Sequence, residues 1–533
     1  MACSQHHEAH DAFAVHLLTV FFDKDIRLKA VCRFDELRGR ASVDAELVED
    51  GEFFFGHGKE ARAEGTVESP RRVSKAKVSS QGQEREFFPI AGKISLIPAP
   101  IARESGCAML DIRVIRDNPA TVQERLKARG GEHWRLVDAV IACDEARRKA
   151  ETDKQQLQNS RKTISKEIGM LKAKGEDTST IEAEVRAINE RIAALDATAE
   201  DAAAEQADLL LNIPNLTHDA CPIGSDETAN PVVREWGTKP VIAAPKDHVE
   251  LAQQHGLISW DDGIRVAGSG FVVYRGKGAR LERALINFLL DTQTANGYEE
   301  VNVPHLVKRE CMEGTGQLPK FEDDMYGTDA DEAGVNNLFL APTAEVPVTN
   351  LYRDKILAES DLPVKMVAYT PCFRREAGSA GRDNKGIIRM HQFDKVELVQ
   401  IVHPDHGFEV LEQLTAHAES ILQKLGLHYR TIELCTGDIG FSSAKTYDIE
   451  VWAPGHGKYL EVSSCSCFSE YQARRMKLRF KDADGKNRFP HTLNGSGTAL
   501  PRLYVALLEQ YQQPDGTIRI PKALVPYFGA EVL

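Results

Sequence analysis

The chain has 533 residues, a formal net charge of −14 and a hydrophobic fraction of 42%. That length allows several domains with ample cores, and no run of about eighteen apolar residues exists to cross a bilayer. The acidic balance gives no global sign of a nucleic-acid partner, so such a role needs a local basic surface.

The ten cysteines are scattered without paired metal spacing, which points to a reducing cytoplasm. Cys465 and Cys467 form a C-x-C that no second pair answers, so they read as structural thiols rather than zinc ligands.

Residues 1–108 hold a His-rich start, an aromatic cluster at Phe53–Phe55 and a polar tract near Ser69–Glu86, with no sustained period. The apolar patch from Ala12 to Phe22 is short, is interrupted by His16 and lacks a basic leader, so it makes a poor signal peptide. The expectation for 1–108 is an N-terminal extension of unassigned role, weakly ordered or translated from an alternative start, with an accessory domain as the alternative. A well-patterned segment begins at Met109 and opens a helical arm domain over 109–213.

From about Glu132 to Leu211 the chain is rich in Ala, Glu, Lys, Arg, Gln and Leu, all strong helix formers. Ile181, Val185, Ile188, Ile192 and Leu195 follow a 4-3-4-3 spacing, the seam of a coiled coil. A weaker seam runs through Leu136, Val140, Cys143, Ala150, Leu157, Ile164, Ile168 and Leu171. Lys174–Thr178 breaks the pattern and Pro214 ends it, so two helices of roughly 35 residues fold back as an antiparallel hairpin. Between Arg147 and Lys174 nine basic residues stand against three acids. That patch suits a solvated coiled-coil face or an arm tracking an RNA backbone; on the second reading Arg147, Arg148, Lys154, Arg161 and Lys162 are the tRNA contacts.

A Pro-rich stretch, 214–245, reads as a linker, and 246–533 mixes helices with strands. Leu281, Leu285, Phe288, Leu289 and Thr292 make one amphipathic helix. Gly297 stops that helix, and Glu299–Val303 reads as a strand ending at Pro304. Strands without regular βαβ alternation predict an α+β fold, a largely antiparallel sheet flanked by helices. No Gly-x-x-x-x-Gly-Lys-Ser/Thr loop occurs, so phosphates are not held by a P-loop.

The stretch Cys372–Val399 reads as strand, polar loop and strand. Alternation puts Arg389, His391, Phe393, Lys395 and Glu397 on one face of the second strand, and Arg374 with Glu376 on one face of the first. One hairpin thus offers guanidinium groups for phosphate, an aromatic plane for a base and carboxylates for an amine or hydroxyl. His391 and Lys395 read as structural supports, and Cys372 as packing rather than a nucleophile.

These residues resemble the seryl-tRNA synthetases, a class II aminoacyl-tRNA synthetase family. The helix–Gly–strand–Pro304 unit is similar to class II motif 1, Cys372–Val399 to motif 2, and Gly495–Arg502 with the following helix to motif 3. Residues 314–321, 339–346 and 461–466 narrow the likeness to serine, and the two-helix arm is similar to the family's tRNA-reading arm. The resemblance implies an ATP-dependent ligase that forms seryl-adenylate and passes serine to tRNA(Ser), and to tRNA(Sec) where one exists. It implies a cytoplasmic homodimer with a class II catalytic domain over 246–533.

By the same resemblance Arg374, Glu376 and Arg502 carry catalysis. ATP is held by Arg374, Arg375, Glu376, Arg389, Phe393, Glu461, Val462, Ser463, Ser464 and Arg502, with Arg374 on the α-phosphate and Phe393 stacked on adenine. Serine is held by Thr343, Ala344, Glu345, Arg374, Glu397 and Ser496. Glu461 and Ser464 hold Mg²⁺, which suits hard oxygen ligands. Those two residues have opposite strand parity, so a bulge or turn must lie between them. Cys467 stands where the family commonly has asparagine, which bears on local packing. Two other readings are a ligase loading an amino acid on a carrier protein and a non-catalytic RNA-binding coiled-coil protein. The long basic-patched arm argues against the first, and the intact charged residues of motifs 2 and 3 against the second.

Overall fold

The computed structural model describes residues 110–329, 338–377 and 385–533, with the strand backbones between Ala14 and Glu86. The chain divides into two compact units, Met1–Ala102 and Arg103–Leu533. In the first, Ala14–Phe22, Ile26–Asp35 and Arg40–Asp44 form an antiparallel sheet, and four shorter strands between Phe53 and Glu86 form another. The expected weak order of 1–108 falls largely on residues outside the described ones.

The second unit opens with helices Ile112–Asp117 and Pro119–Ala128. Asp111 caps the first through its side chain, and Pro119 starts the second where a missing N–H costs nothing. Two long helices follow, Leu136–Lys174 and Ser179–Leu211, and Gly175 at φ +76° ends the first in the left-handed conformation glycine tolerates. The longer is about 60 Å at 1.5 Å per residue.

The hairpin is buried mainly at its base, with isolated buried positions such as Ala150 and Ile192 further out. Val137, Val140, Leu210, Leu211 and Ile213 pack with Ile115, Val122 and Leu126, and with Phe441 and Tyr471 of the sheet domain. Further out Leu157, Ile164, Ile168, Ile181 and Ile188 are only half-buried, because two helices alone leave each seam residue one open side. Polar pairs supplement that thin seam: Lys154 with Asp196, Lys172 with Glu182 at 2.7 Å, and Arg161 with Asn189 at 2.9 Å.

Eight strands form the central sheet: β1 (Val232–Trp236), β2 (Glu299–Glu300), β3 (Val364–Phe373), β4 (Gln392–Val402), β5 (Tyr429–Glu433), β6 (Lys445–Ala453), β7 (Lys458–Cys467) and β8 (His491–Ala499). Their order is β2-β3-β4-β8-β7-β6-β5-β1, and every pairing is antiparallel except β2 with β3. The stretch expected to be a linker therefore does more than connect. Val232–Trp236 inside 214–245 closes one edge of the sheet, a β-prone segment that the surrounding prolines hid.

The helix expected around Leu281 spans Lys277–Ala295 and buries Leu281, Leu285, Phe288, Leu289 and Thr292. The strand after Gly297 is shorter than expected, Glu299–Glu300, although the Val301 amide still bonds to Val367 O at 2.9 Å. Helices Lys277–Ala295, Gly407–Lys424 and Leu500–Tyr511 cover one face of the sheet, against Val396, Leu398, Ile449, Val451, Val462, Cys465, Cys467 and Leu493. Period-two alternation sends Lys395, Glu397, Asn494 and Ser496 to the other face, and Glu461 and Ser464 join them. Cys467 is thus a core residue, and burial pushes both its thiol and that of Cys465 up to about 12.

Candidate active site

A cavity of about 650 Å³ opens over that second face. Thr343, Glu345, Arg374, Glu376, Arg389, Phe393, Glu461, Val462, Ser464, Ser496 and Arg502 all line it. Four residues of the expected set do not. Ala344 is fully buried in an apolar cluster with Val348, Met366 and Val399. Arg375 is exposed and lies over the Tyr326 ring, 5.4 Å from its centre. The Ser463 hydroxyl turns into the sheet and donates to Ser496 O. Glu397 sits beneath the floor, fully buried.

β3 ends at Phe373 and β4 begins at Gln392, so Arg374, Glu376, Arg389 and His391 stand just beyond the strands rather than on them. Turn geometry aims them. The Arg374 amide donates to His391 O at 2.9 Å, and the His391 amide to Gly270 O at 3.0 Å. Arg374 Nε donates to Pro342 O at 3.2 Å, which leaves its guanidinium edge to the cavity, 5.2 Å over Phe393. Glu376 adopts φ +51°, unfavourable for a residue with a Cβ. Asp324 holds it there: its carbonyl accepts from Arg375 N at 2.8 Å and its carboxylate from Ala377 N at 2.6 Å.

At the opposite end of the cavity the polar groups are buried and paired. Glu397 forms an ion pair with Lys395 and accepts from Thr343 Oγ1 at 3.3 Å and Asn494 Nδ2 at 3.2 Å. Glu345 accepts from Gln472 Nε2 at 2.7 Å. Burial, then the nearby charge of Glu397, pushes the Glu345 carboxyl up to about 7 against the help of Gln472, Lys395 and Arg374. A ligand ammonium would relieve that cost. Thr343 and Glu345 meet through a turn, the hydroxyl accepting from the Glu345 amide at 3.2 Å, and not through strand alternation.

The parity conflict between Glu461 and Ser464 is resolved by a bulge. β6 pairs Ile449 with Ser463 and Glu450 with Glu461, leaving Val462 as the extra residue. Both side chains then face the cavity. Across the strand from Ser464 lies Asp448, whose Oδ1 is buried without a hydrogen-bond partner. Burial, then the charge of Glu461, raises the Asp448 carboxyl well above its ordinary value. These are hard oxygen donors with excess negative charge, a set that fits a divalent cation such as Mg²⁺. Arg502 donates to Glu461 O at 2.8 Å and Oε2 at 3.3 Å, and its Nε to Ile388 O at 3.3 Å.

Sequence reading missed Gln472, Asn494, Asp448 and Asp324. Strand alternation with Ser496 could have found Asn494. Gln472 stands on the short helix Tyr471–Arg475, and no local pattern ties it to Glu345.

On the arm, Arg147 pairs with Asp144 at 3.0 Å and Glu151 at 2.8 Å, and Arg148 lies 3.7 Å from Asp144. With Lys154 and Arg161 bonded across the hairpin, only Lys162 of the five expected RNA contacts is exposed without a recorded partner among the described residues. Asp144 is buried, whereas the side chains of Glu151 and Asp196 are exposed, and surface pairs of that kind contribute about 0–1 kcal/mol each.

Residues 109–217 match the seryl-tRNA synthetase N-terminal domain, and 326–511 match the tRNA synthetase class II core domain (G, H, P, S and T). The chain is 73% identical over 426 residues to the serine–tRNA ligase of Akkermansia muciniphila, covering 80% of this chain and 99% of that one. It is 51% identical over 424 residues to that of Thiobacillus denitrificans, 79% and 98% being covered. Among solved structures, the Pyrococcus horikoshii seryl-tRNA synthetase complexed with ATP is similar at 37% identity and a TM-score of 0.76, over 79% of this chain and 99% of that one. The Naegleria fowleri cytoplasmic serine–tRNA ligase in complex with AMP is similar at 27% identity and a TM-score of 0.73 over 79% and 98%. These likenesses favour neither the carrier-protein ligase nor the non-catalytic reading. By fold, site and likeness together, the chain belongs to the seryl-tRNA synthetase family of class II aminoacyl-tRNA synthetases.

Proposed function

We propose that this protein joins serine to ATP in the cavity over the sheet, releases pyrophosphate, and transfers the seryl group to the terminal ribose of tRNA(Ser). A tRNA(Sec), where one exists, is a second acceptor. The observation that carries this reading is the single polar face: arginines and an aromatic ring at one end, Thr343, Glu345 and Ser496 at the other.

In the first step a serine carboxylate oxygen attacks the ATP α-phosphorus; the new P–O bond forms as the bond to pyrophosphate breaks. The protein's work is positional and electrostatic. Arg374 lies between the two ends of the cavity, where one planar guanidinium reaches both the α-phosphate and the serine carboxylate. Phe393 stacks on adenine, Glu376 accepts from its amino group, and Arg389 and Arg502 meet the outer phosphates. Glu345 and Thr343 take the ammonium. Glu397, already fixed by Lys395 and Asn494, lies beneath the floor beside its cross-strand neighbour Ser496, which lines the cavity, and the two address the serine hydroxyl. Alanine leaves the Ser496 hydroxyl without that partner and is rejected. Mg²⁺ held by Glu461, Ser464 and Asp448 would supply charge neutralisation at the phosphates.

The helical hairpin reads the RNA backbone through its basic face. The helix Lys277–Ala295 and the short strand after it supply the homodimer contact. Among the described residues no helix is long and apolar enough to cross a membrane, and we place the enzyme in the cytoplasm. Deleting Arg147–Ala197 with a short joining loop tests the division of labour. Adenylate formation should persist while tRNA charging is lost; unchanged charging would remove the arm's role.

A further inference from the structure

We propose that Arg129, at the base of the helical arm domain, is a positioning residue for the serine subsite, acting through the 439–443 segment that walls the cavity. The proposal rests on serine activation being the reaction.

Arg129 follows directly on the helix Pro119–Ala128 and is its C-cap. Its guanidinium reaches into the sheet domain and meets no carboxylate among the described residues. Nη1 donates to Ser443 O at 3.2 Å, and Nη2 to Ile439 O at 3.2 Å, Gly440 O at 2.6 Å and Phe441 O at 3.4 Å. Four carbonyls of one short segment therefore converge on a single cation. Burial lowers the Arg129 pKa to about 10, so the group stays charged at neutral pH. A charge taken into a site without a counter-ion is retained only where its hydrogen bonds offset the desolvation.

The clamped segment belongs to the cavity. Gly440, Phe441, Ser442 and Ser443 all line it. Asn215, just beyond the arm, fastens the other side: its amide donates to Phe441 O at 3.0 Å and its side chain to Ser442 O at 3.0 Å and Phe468 O at 2.8 Å. The segment then connects to the ammonium site in two steps. Ser442 Oγ donates to Thr315 O at 3.4 Å, and Gln472 Nε2 donates both to that carbonyl at 3.1 Å and to Glu345 Oε1 at 2.7 Å. Gly316 gives the packing no slack, because a Cβ there would lie 2.0 Å from Ser442 Oγ.

Nothing in this chain of contacts touches Glu376, Phe393 or Arg502 at the nucleotide end, and Arg374, between the two ends, meets it only as a charge near Glu345. The predicted effect is therefore selective. Loosening Arg129 lets the 439–443 segment shift, Thr315 and Gln472 follow, and Glu345 loses its orientation while ATP contacts remain. The arm domain has two separable parts in this account: the outer hairpin serves the RNA, and the base serves the amino acid.

The test is steady-state ATP–pyrophosphate exchange on the full chain with Arg129→Gln and Arg129→Lys, varying serine and ATP separately beside the wild type. For Arg129→Gln the serine KM should rise about tenfold or more, with ATP KM and kcat within about twofold, since several charge-assisted hydrogen bonds are lost. Arg129→Lys keeps the charge but one donor point, so it should fall between the two. It also decides the matter if the glutamine variant does not fold. An unchanged serine KM, or serine and ATP KM rising together, overturns the proposal. A wild type that shows no serine-dependent exchange overturns the functional reading instead.

Discussion

Arg389 and Glu376 face each other 3.1 Å apart at the nucleotide end of the cavity, each with a side chain about a quarter exposed or less. Both have work on ATP in the proposed mechanism, Glu376 on the adenine amino group and Arg389 on phosphate. Nucleotide binding must therefore part them and give each a new partner. Arg389→Ala should raise the ATP KM in the exchange assay about tenfold or more while leaving the serine KM within about twofold. A rise in serine KM alone would put Arg389 at the wrong substrate.

Arg374 is asked to satisfy two anions with one planar group. Arg374→Ala should lower the exchange rate at least about a hundredfold. Arg374→Lys should recover little of that loss, because an ammonium is a point donor and not a fork. Full activity in the lysine variant would mean that charge alone, without bidentate geometry, suffices there.

The raised carboxyl of Glu345 gives two pH effects of known sign. Serine's ammonium needs the ionised form, so below the Glu345 pKa of about 7 the serine KM should rise roughly tenfold per pH unit. A flat profile from neutral pH down to about a unit below it would separate Glu345 from the ammonium. The folded protein also holds this proton more tightly than the unfolded chain. Stability is therefore lost as pH climbs from the ordinary glutamate range through about 7. Glu345→Gln should escape that loss, melting above the wild type at alkaline pH by the equivalent of about 1–3 kcal/mol while abolishing exchange. A variant less stable than the wild type at alkaline pH would count against an ionised, strained Glu345.

Glu461, Ser464 and the unpartnered Asp448 oxygen predict a metal requirement. Chelation should abolish exchange, and Glu461→Ala should raise the Mg²⁺ concentration needed for half-activity about tenfold or more, as loss of a charged ligand does. An unchanged Mg²⁺ titration in that variant would move the ion elsewhere.

Much of this site was legible in the sequence because strands alternate. Phe393, Lys395 and Glu397 fall on one face of β4 as their spacing requires, and the parity conflict of Glu461 with Ser464 announced the bulge at Val462. Helical periodicity likewise marked the buried stripe from Leu281 to Thr292. What alternation cannot reach is a turn. Arg389 and His391 were assigned to a strand that begins only at Gln392, and Thr343 with Glu345 meet at a helix start. Long-range partners were beyond any local pattern: Gln472 reaches Glu345 across 127 positions, and Val232–Trp236 joins the sheet from within a proline-rich stretch. The arm's basic face was read correctly as composition, but its ion pairs depend on which acids the hairpin brings alongside.

The most direct test of the account is ATP–pyrophosphate exchange without tRNA, run in parallel with serine, threonine, alanine and glycine in the presence of Mg²⁺. The account predicts robust exchange with serine, and rates lower by about a hundredfold or more with alanine and glycine, which leave the Ser496 hydroxyl without a side-chain partner. Absence of serine-dependent exchange in folded protein, or equal rates with alanine, would contradict it.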